Sequence, residues 1–358
     1  MSPKKPKNNN KNTTKKKKRT LLRILLYLAI LLFILWLLTV LWMTFFYDPH
    51  KYEENALMEK IYTLSNVESK KKSSDLPYNL NDLDKPTNET SSLVTEVKTN
   101  LYMNDRDKFE PTMDNLFKER ELTIKNIDTL FENLKSPKEI SRTHSTFGKE
   151  VVYIYHTHSR ESFLPYLKNT EKPEEAYHSE ANITLVGKLL GKALKRRGLG
   201  TTADSTDIVQ ELNSRGLNYN SSYNVTGDLV RSAKRNNRDL EIFIDVHRDS
   251  LRRKSTTTEV NGLNYAQLLF VVGTGHDNFE KNLKFAEGLQ TILDTKYPGL
   301  SKGIIQKGSN QGNGVYNQDI SPNSIIVEIG GVDNTVEELH RSTEIFADVL
   351  SEYYFHEE

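Results

Sequence analysis

The feature that most constrains this chain is an uncharged run, residues 24–46, that is dominated by leucine and isoleucine. At about 1.5 Å of rise per residue, roughly 20 apolar residues in a helix cross the hydrocarbon core of a bilayer. Both tryptophans, Trp36 and Trp42, lie in the second half of the run, which ends in Phe45 and Phe46 and is followed by Tyr47; such aromatic residues are typical of a membrane interface. We therefore predict a transmembrane helix over residues 21–47.

Charge around this run predicts the orientation of the chain. Residues 1–47 contain ten Lys or Arg and no acidic residue. Because basic flanks stay on the cytoplasmic side, residues 1–20 are predicted to form a basic cytoplasmic tail and residues 48–358 to lie outside. The alternative is a cleaved signal peptide, which has a shorter apolar stretch and ends at small residues. The long run with its aromatic end favours a retained single-pass anchor in the cytoplasmic membrane.

The composition of the remaining chain excludes some classes of partner and site. Beyond residue 47 there are 39 basic and 48 acidic residues, an acidic balance that argues against nucleic acid as the main partner. Cysteine is absent, which excludes disulfides and thiolate metal sites. Any zinc site must therefore use histidine, glutamate or aspartate.

The extracytoplasmic part begins with sequence of low hydrophobicity. Residues 48–90 are polar and are interpreted as an unstructured linker. Residues 91–136 carry apolar residues at loosely helical spacing, which suggests a helical stalk or a docking segment. We assign residues 48–146 to this linker and stalk, and residues 147–358 to a folded domain.

Strands and helices alternate in the folded domain. Runs of β-branched and aromatic residues predict four buried strands, at residues 151–155, 242–246, 268–272 and 324–329. Amphipathic spacing predicts a helix that begins near Ser179 and two more over residues 281–294 and 337–354. This pattern predicts an α/β domain with a mainly parallel sheet flanked by helices.

Candidate functional residues lie where these strands end. His158 follows the first strand, His247 ends the second, and Glu328 lies near the end of the fourth. Functional groups gather at the carboxyl ends of such strands. Glu180, at the start of the predicted helix, can lie beside His158. Two histidines and a carboxylate can hold a catalytic zinc, and a further glutamate can act as general base toward its water.

The residues alone leave alternatives open. His156 and His178 are rival ligands, and a glutamate in a first helical turn is ordinary capping chemistry, so Glu180 has a structural interpretation as well. Glu328 carries the strongest signal, because an acidic residue within a buried strand is costly unless it is paired or close to a metal.

Four motifs together resemble the stage II sporulation protein P family over about residues 148–358. They occupy residues 155–163 (YHTHSRESF), 245–250 (DVHRDS), 315–319 (VYNQD) and 327–334 (VEIGGVDN). More distantly, the domain resembles zinc N-acetylmuramoyl-L-alanine amidases, although His156-Thr157 stands where their first motif has Pro-Gly. The resemblance implies an amidase-like fold and zinc as cofactor. It implies that His158, Glu180 and His247 bind zinc and that Glu328 is catalytic. We further predict that Arg248, Asn334 and His156 contact substrate or support the ligands.

The resemblance also implies a cellular role. Family members cleave the amide between muramic acid and L-alanine in peptidoglycan, and peptide cross-links as well. They act in septal wall remodelling and forespore engulfment, with stage II sporulation proteins D and M as partners. Two other functions remain as hypotheses: a non-catalytic wall-binding or scaffold protein, and a zinc carboxypeptidase on stem peptides, in which Arg248 would hold a substrate carboxylate.

Overall fold

The computed structural model describes residues 111–127, 130, 134 and 144–356 of the chain. All of them belong to one compact unit, Glu54–Glu358. The predicted cytoplasmic tail 1–20, the predicted transmembrane helix 21–47 and the predicted linker 48–90 lie outside the described residues. Within the described ranges, no helix has both the length and the apolar character needed to span a bilayer.

The described residues form eight strands and seven α-helices. The strands are β1 (Val152–Tyr155), β2 (Thr201–Ala203), β3 (Ile242–Asp249), β4 (Thr257–Val260), β5 (Leu263–Ala266), β6 (Leu268–Gly273), β7 (Ser301–Lys307) and β8 (Asn323–Gly331). The helices are α1 (Met113–Phe117), α2 (Ile183–Arg196), α3 (Ile208–Ser214), α4 (Ser222–Asn236), α5 (Arg253–Thr256), α6 (Phe279–Lys296) and α7 (Val336–His356). Short 3-10 turns lie at Leu164–Tyr166, Pro173–Glu175, Tyr219–Ser221 and Gln318–Ile320.

Six of the strands form one sheet in the order β2-β1-β3-β8-β6-β7. Every neighbouring pair is parallel except β6 and β8, which run antiparallel. Strands β4 and β5 form a separate antiparallel hairpin. The predicted α/β class with a mainly parallel sheet is therefore confirmed, and β1, β3, β6 and β8 correspond to the four predicted strands.

The two faces of the sheet differ in what they bury. The large core packs one face, where Ile244, Val246 and Phe270 contact side chains of α2, α6 and α7. Because successive side chains of a strand point to opposite faces, Asp245 and His247 of β3 point to the other face. That second face is covered in part by α4, whose Val230 packs on aromatic side chains of β1 and β3. Polar groups of the sheet thus gather on the face away from the large core.

The start of α2 differs from the prediction. The helix begins at Ile183, and the side chain of Asn182 caps it by accepting a hydrogen bond from the Thr184 amide at 3.0 Å. The predicted start near Ser179 is wrong, because Asn182 also donates from its side chain to the carbonyls of His178 and Ser179 and holds them in a bend. Glu180 therefore precedes the helix instead of opening its first turn.

Candidate metal centre

Three side chains converge on the polar face of the sheet. One ligand atom from each of His158, Glu161 and His247 lies within 4.8 Å of the others. Nδ1 of His158 is 3.5 Å from Oε1 of Glu161, and Nδ1 of His247 is 3.5 Å from Oε2 of the same carboxylate. The two imidazole rings meet edge to face, 4.9 Å between centroids. Two imidazoles and one carboxylate form a donor set that zinc accepts in the absence of thiolates, so these residues fit the metal.

The sheet topology explains why these residues meet. His158 lies in the turn after β1, and the Glu161 amide closes that turn by donating to the His158 carbonyl at 3.0 Å. Strand β1 pairs in parallel with β3, which carries His247. Parallel neighbours bring their carboxyl ends to the same edge of a sheet, so the turn after β1 reaches the end of β3.

Asp245 supports His247 from the opposite side of its ring. Oδ1 of Asp245 lies 3.0 Å from Nε2 of His247, and the same carboxylate accepts hydrogen bonds from the amide and hydroxyl of Thr157 at 2.8 and 2.6 Å. Burial alone would lower the pKa of His247, but the carboxylates of Asp245 and Glu161 outweigh it and hold that pKa well above its usual range. The Asp245 carboxylate thus lies beside Nε2, while Nδ1 of the same ring is directed at Glu161.

Glu161 is held as a carboxylate by its surroundings. Its Oε2 accepts a hydrogen bond from the Arg248 amide at 3.1 Å. Burial would raise the pKa of Glu161, but the charge of His247, hydrogen bonds from both histidines and the charge of Arg248 keep it well below its usual range. Two buried carboxylates, Glu161 and Asp245, thus flank His247, and such a concentration of negative charge favours a bound cation.

Glu328 stands beside this group on the neighbouring strand. It is the register partner of His247 in the β3–β8 pair and of Leu269 in the β6–β8 pair. Lys302, at the start of β7, is also near: its side chain is 7% exposed and its Nζ lies 3.5 Å from Oδ2 of Asp249. Burial lowers the pKa of Lys302 to about 8, against the charge of Glu328, which raises it. A half-buried carboxylate in register with a candidate metal ligand is placed to serve as a proton acceptor there.

Tyrosines form the side of the site next to His158. The His158 ring stacks on the Tyr219 ring with centroids 4.7 Å apart and meets the Tyr223 ring edge to face at 5.7 Å. Tyr223 in turn contacts Tyr316 at 5.2 Å. Asn317, in the left-handed conformation at φ 58°, donates from its side chain to the Tyr223 carbonyl at 2.9 Å. The motif at residues 315–319 therefore fixes the aromatic wall around His158.

The structure does not bring every predicted ligand into this group. Glu180 is exposed and lies outside it, because the helix starts after it and its amide is held by Nδ1 of His178 at 3.0 Å. His178 also accepts from the Ala181 amide, so its ring serves the bend before α2. His156 is buried outside the group, with Nδ1 3.0 Å from the Val246 carbonyl. The carboxylate that meets the two histidines is Glu161.

Two residues predicted to contact substrate are buried and occupied by structural hydrogen bonds. The Arg248 guanidinium donates to the carbonyls of Ser162 and Ala176, at 2.9 and 3.0 Å. Asn334 accepts from the Gly331 amide at 2.8 Å and donates to Glu338 at 2.9 Å, which fixes the turn after β8. Their polar groups stabilise the chain around the site.

Sequence reasoning missed Glu161 and Asp245 as parts of the site. Glu161 stands three residues after His158, inside the first motif, and this short spacing was an available signal. Asp245 precedes His247 by two positions, which places both side chains on the same face of a strand. The contact of Lys302 with Asp249 had no signal in the sequence, because it joins β7 to β3.

Comparison with solved structures finds matches of low similarity. The N-acetylmuramoyl-L-alanine amidase AmiC2 of Nostoc punctiforme has a TM-score of 0.33 and 15% identity, covering 59% of this chain and 96% of that one. Cwp6 from Clostridium difficile has a TM-score of 0.34 and 12% identity, covering 61% of this chain and 31% of that one.

The sequence matches a known family far more closely than the fold matches these solved structures. The family model described as stage II sporulation protein P matches residues 49–351. Stage II sporulation protein P of Bacillus subtilis (strain 168) is 45% identical over 237 residues, which is 66% of this chain and 59% of the Bacillus protein. The match thus spans less than two thirds of that relative's length. The family model covers most of the chain, and the chain therefore belongs to the stage II sporulation protein P family.

Proposed function

We propose that this chain is a zinc-dependent peptidoglycan hydrolase that cleaves the amide bond between N-acetylmuramic acid and L-alanine. The observation that carries the proposal is the convergence of His158, Glu161 and His247 within 4.8 Å of one another. Glu328 lies in register beside this group, where a hydrolase needs a proton acceptor. The motif resemblance to zinc amidases supports the choice of bond.

Each residue of the site has a defined role in this proposal. His158, Glu161 and His247 hold the metal, and Asp245 fixes the orientation of the His247 ring. Zinc, when bound, polarises the scissile carbonyl and lowers the pKa of a bound water. Glu328 accepts a proton from the attacking water and returns it to the leaving amine. The tyrosines beside His158 exclude solvent from one side of the ligand set.

The proposal extends to the setting in which the enzyme acts. Residues 21–47 anchor the chain as a single-pass protein of the cytoplasmic membrane, and residues 48–146 connect this anchor to the catalytic domain, residues 147–358. The substrate is peptidoglycan, with peptide cross-links as a second target, in septal wall remodelling and forespore engulfment. Stage II sporulation proteins D and M are the proposed partners. Family membership and the basic-to-apolar pattern of the N-terminus support this setting.

The alternative functions have less support from the geometry. A carboxypeptidase needs a basic group free to hold a substrate carboxylate, and the Arg248 guanidinium is buried against the carbonyls of Ser162 and Ala176. A non-catalytic scaffold has no need for two buried carboxylates around one histidine, since burying such charges costs several kcal/mol each.

The test is a digest of purified peptidoglycan by the full chain in detergent, with products identified by mass spectrometry. The proposal predicts free stem peptides and bare glycan strands. It also predicts that a chelator stops the reaction and that added zinc restores it. Shortened stem peptides still attached to muramic acid would support the carboxypeptidase, and wall binding without cleavage would support the scaffold.

A further inference from the structure

A segment that precedes the α/β domain packs against the loop that carries Glu161. We call residues 112–123 the docking segment and residues 159–178 the Glu161 loop. Leu116 of the docking segment is 2% exposed and packs in one apolar cluster with Tyr177 of the loop and Val209 of α3. Burying a leucine side chain to this extent contributes about 1.5–3 kcal/mol. The docking segment is therefore packed firmly against the folded domain.

Buried arginines strengthen this contact from both sides. Arg160, next to Glu161, donates to the Leu116 carbonyl at 2.9 Å and lies 4.7 Å from the centre of the Phe117 ring. Arg120, from the docking segment, donates to the Tyr177 carbonyl at 3.3 Å. Hydrogen bonds from charged groups are worth about 1.5–3 kcal/mol each. One arginine from each partner thus reaches the backbone of the other.

The end of the docking segment pairs with the middle of the loop. Leu122 and Leu167 form an antiparallel bridge. Two backbone hydrogen bonds flank it: the Thr123 amide donates to the Tyr166 carbonyl at 3.0 Å, and the Lys168 amide donates to the Glu121 carbonyl at 2.7 Å. These bonds extend the contact along the loop, beyond the cluster around Leu116.

The contacted loop residues are those that hold Glu161. Glu161 and Tyr177 are bridge partners, so the two arms of the loop form a short antiparallel ribbon. On either side of that pair, the Ser162 amide donates to the Ala176 carbonyl at 2.8 Å and the His178 amide donates to the Arg160 carbonyl at 3.0 Å. A two-stranded ribbon is marginally stable by itself. The docking segment covers this ribbon at Arg160 and Tyr177, the neighbours of Glu161 along and across it.

We propose that the docking segment is a positioning element of the metal site: it holds the Glu161 loop closed, so that the Glu161 carboxylate stays within reach of His158 and His247. This inference rests on the proposed function for the identity of the metal. Leu116 and Arg120 act through the ribbon and do not contact the ligands themselves. Partners or modifications that release the docking segment would then reduce metal affinity without touching the ligands.

The experiment uses the full chain in detergent and four single variants. Leu116→Asp removes the apolar anchor, and Leu116→Met keeps it. Lys118→Ala changes an exposed side chain of the docking segment. Leu293→Ala removes a fully buried leucine of α6 and reproduces a general loss of stability. Two quantities are measured: hydrogen exchange of residues 159–178 in metal-free protein, and zinc affinity by competition with a chelator.

The proposal predicts faster exchange across the Glu161 loop and at least about ten-fold weaker zinc binding in Leu116→Asp. Leu116→Met, Lys118→Ala and Leu293→Ala should leave both quantities close to wild type. Unchanged exchange in Leu116→Asp would overturn the proposal, as would an equal loss of zinc affinity in Leu293→Ala. If the wild-type chain binds no zinc, the proposed function fails, and exchange in the metal-free protein still decides the role of the docking segment.

Discussion

His247 and Glu328 are register partners on the adjacent parallel strands β3 and β8. Neighbouring strands lie about 4.8 Å apart, and register partners point to the same face. A candidate metal ligand and a candidate proton acceptor are therefore positioned by the backbone of two central strands, with no loop between them. Catalytic groups on such rigid elements are held more precisely than groups on loops.

Substitution of the proton acceptor should separate catalysis from metal binding. Glu328→Gln keeps the size of the side chain but removes its basicity. We expect kcat for peptidoglycan cleavage to fall about 10²- to 10⁴-fold, because general acid–base catalysis contributes an effect of this size. Zinc content, measured by elemental analysis, should stay at the wild-type value. Activity near wild type would exclude Glu328 as the general base.

The identity of the carboxylate ligand can be decided with a matched pair of variants. Glu161→Gln should abolish tight zinc binding, because Glu161 meets both histidines, whereas Glu180→Gln should not change it, because Glu180 is exposed outside the group. Isothermal titration with zinc measures both. His158→Ala should match Glu161→Gln. Loss of zinc in Glu180→Gln with retention in Glu161→Gln would reverse the assignment.

The support that Asp245 gives to His247 predicts a graded effect on metal affinity. Asp245→Asn retains the shape of the side chain but removes the charge that holds the His247 ring. Carboxylates that orient a metal-binding histidine typically contribute about 10- to 100-fold to metal affinity, and we expect a loss of zinc affinity in that range. Thr157→Val, which removes one hydrogen bond to Asp245, should cause a smaller loss. Chelator competition measures both, and equal affinity in Asp245→Asn and wild type would contradict the role.

A buried ion pair away from the site predicts how stability depends on pH. Burial would raise the pKa of Glu344, but a hydrogen bond from His340 and the charges of Arg197 and Arg196 lower it below its usual value. The stabilisation is therefore complete above the ordinary glutamate pKa of about 4.3 and is lost as pH falls through the lower pKa of the folded state.

Glu344→Gln should lower the free energy of unfolding by about 3 kcal/mol near neutral pH, because it leaves Arg197, bonded to Glu344 at 2.9 Å, without its main partner. Urea denaturation at neutral pH and at a pH below the folded-state pKa measures the difference. The gap between the two proteins should shrink in acid. A gap independent of pH would show that the carboxylate charge is not its source.

The close approach of His156 to helix α2 predicts that a larger residue at Gly187 destabilises the domain. A Cβ atom added at Gly187 of α2 would lie 2.2 Å from Nε2 of His156. Gly187→Ala should therefore destabilise the domain by about 1–3 kcal/mol, because the added methyl group overpacks the core. The higher helix propensity of alanine offsets only part of this loss. Lys188→Ala, on the exposed side of the same helix, is the control. If His156→Ala relieves the loss in the double variant, measured by thermal unfolding, the clash is the cause; additive losses would argue against it.

Local pattern predicted the central strands because their residues are buried on both faces. β1, β3, β6 and β8 are runs rich in β-branched and aromatic residues. Such runs are typical of strands that are buried on both faces. The antiparallel direction of β6 against β8, and the edge strand β7, depend on how connections cross the sheet. That information is not local, so the sequence pattern did not contain it.

The candidate site likewise contains residues that the local sequence pattern predicted and a candidate metal ligand, Glu161, that it did not. His158, His247 and Glu328 were predictable because they belong to β1, β3 and β8 or directly follow them. Choosing between Glu161 and Glu180 required the fold of the loop between them, which depends on the Glu161–Tyr177 bridge and on the amide of Arg248. Those contacts join residues far apart in sequence, whereas helix-capping rules led to Ser179 and Glu180.

The most direct test of the central claim is anomalous scattering at the zinc edge from crystals of the zinc-loaded chain. We expect a single strong peak bounded by His158, Glu161 and His247, with nitrogen and oxygen ligands at about 2.0–2.2 Å and Glu328 beside the open position. A peak coordinated by Glu180, His156 or His178, or no peak between the two histidines in zinc-loaded crystals, would contradict it.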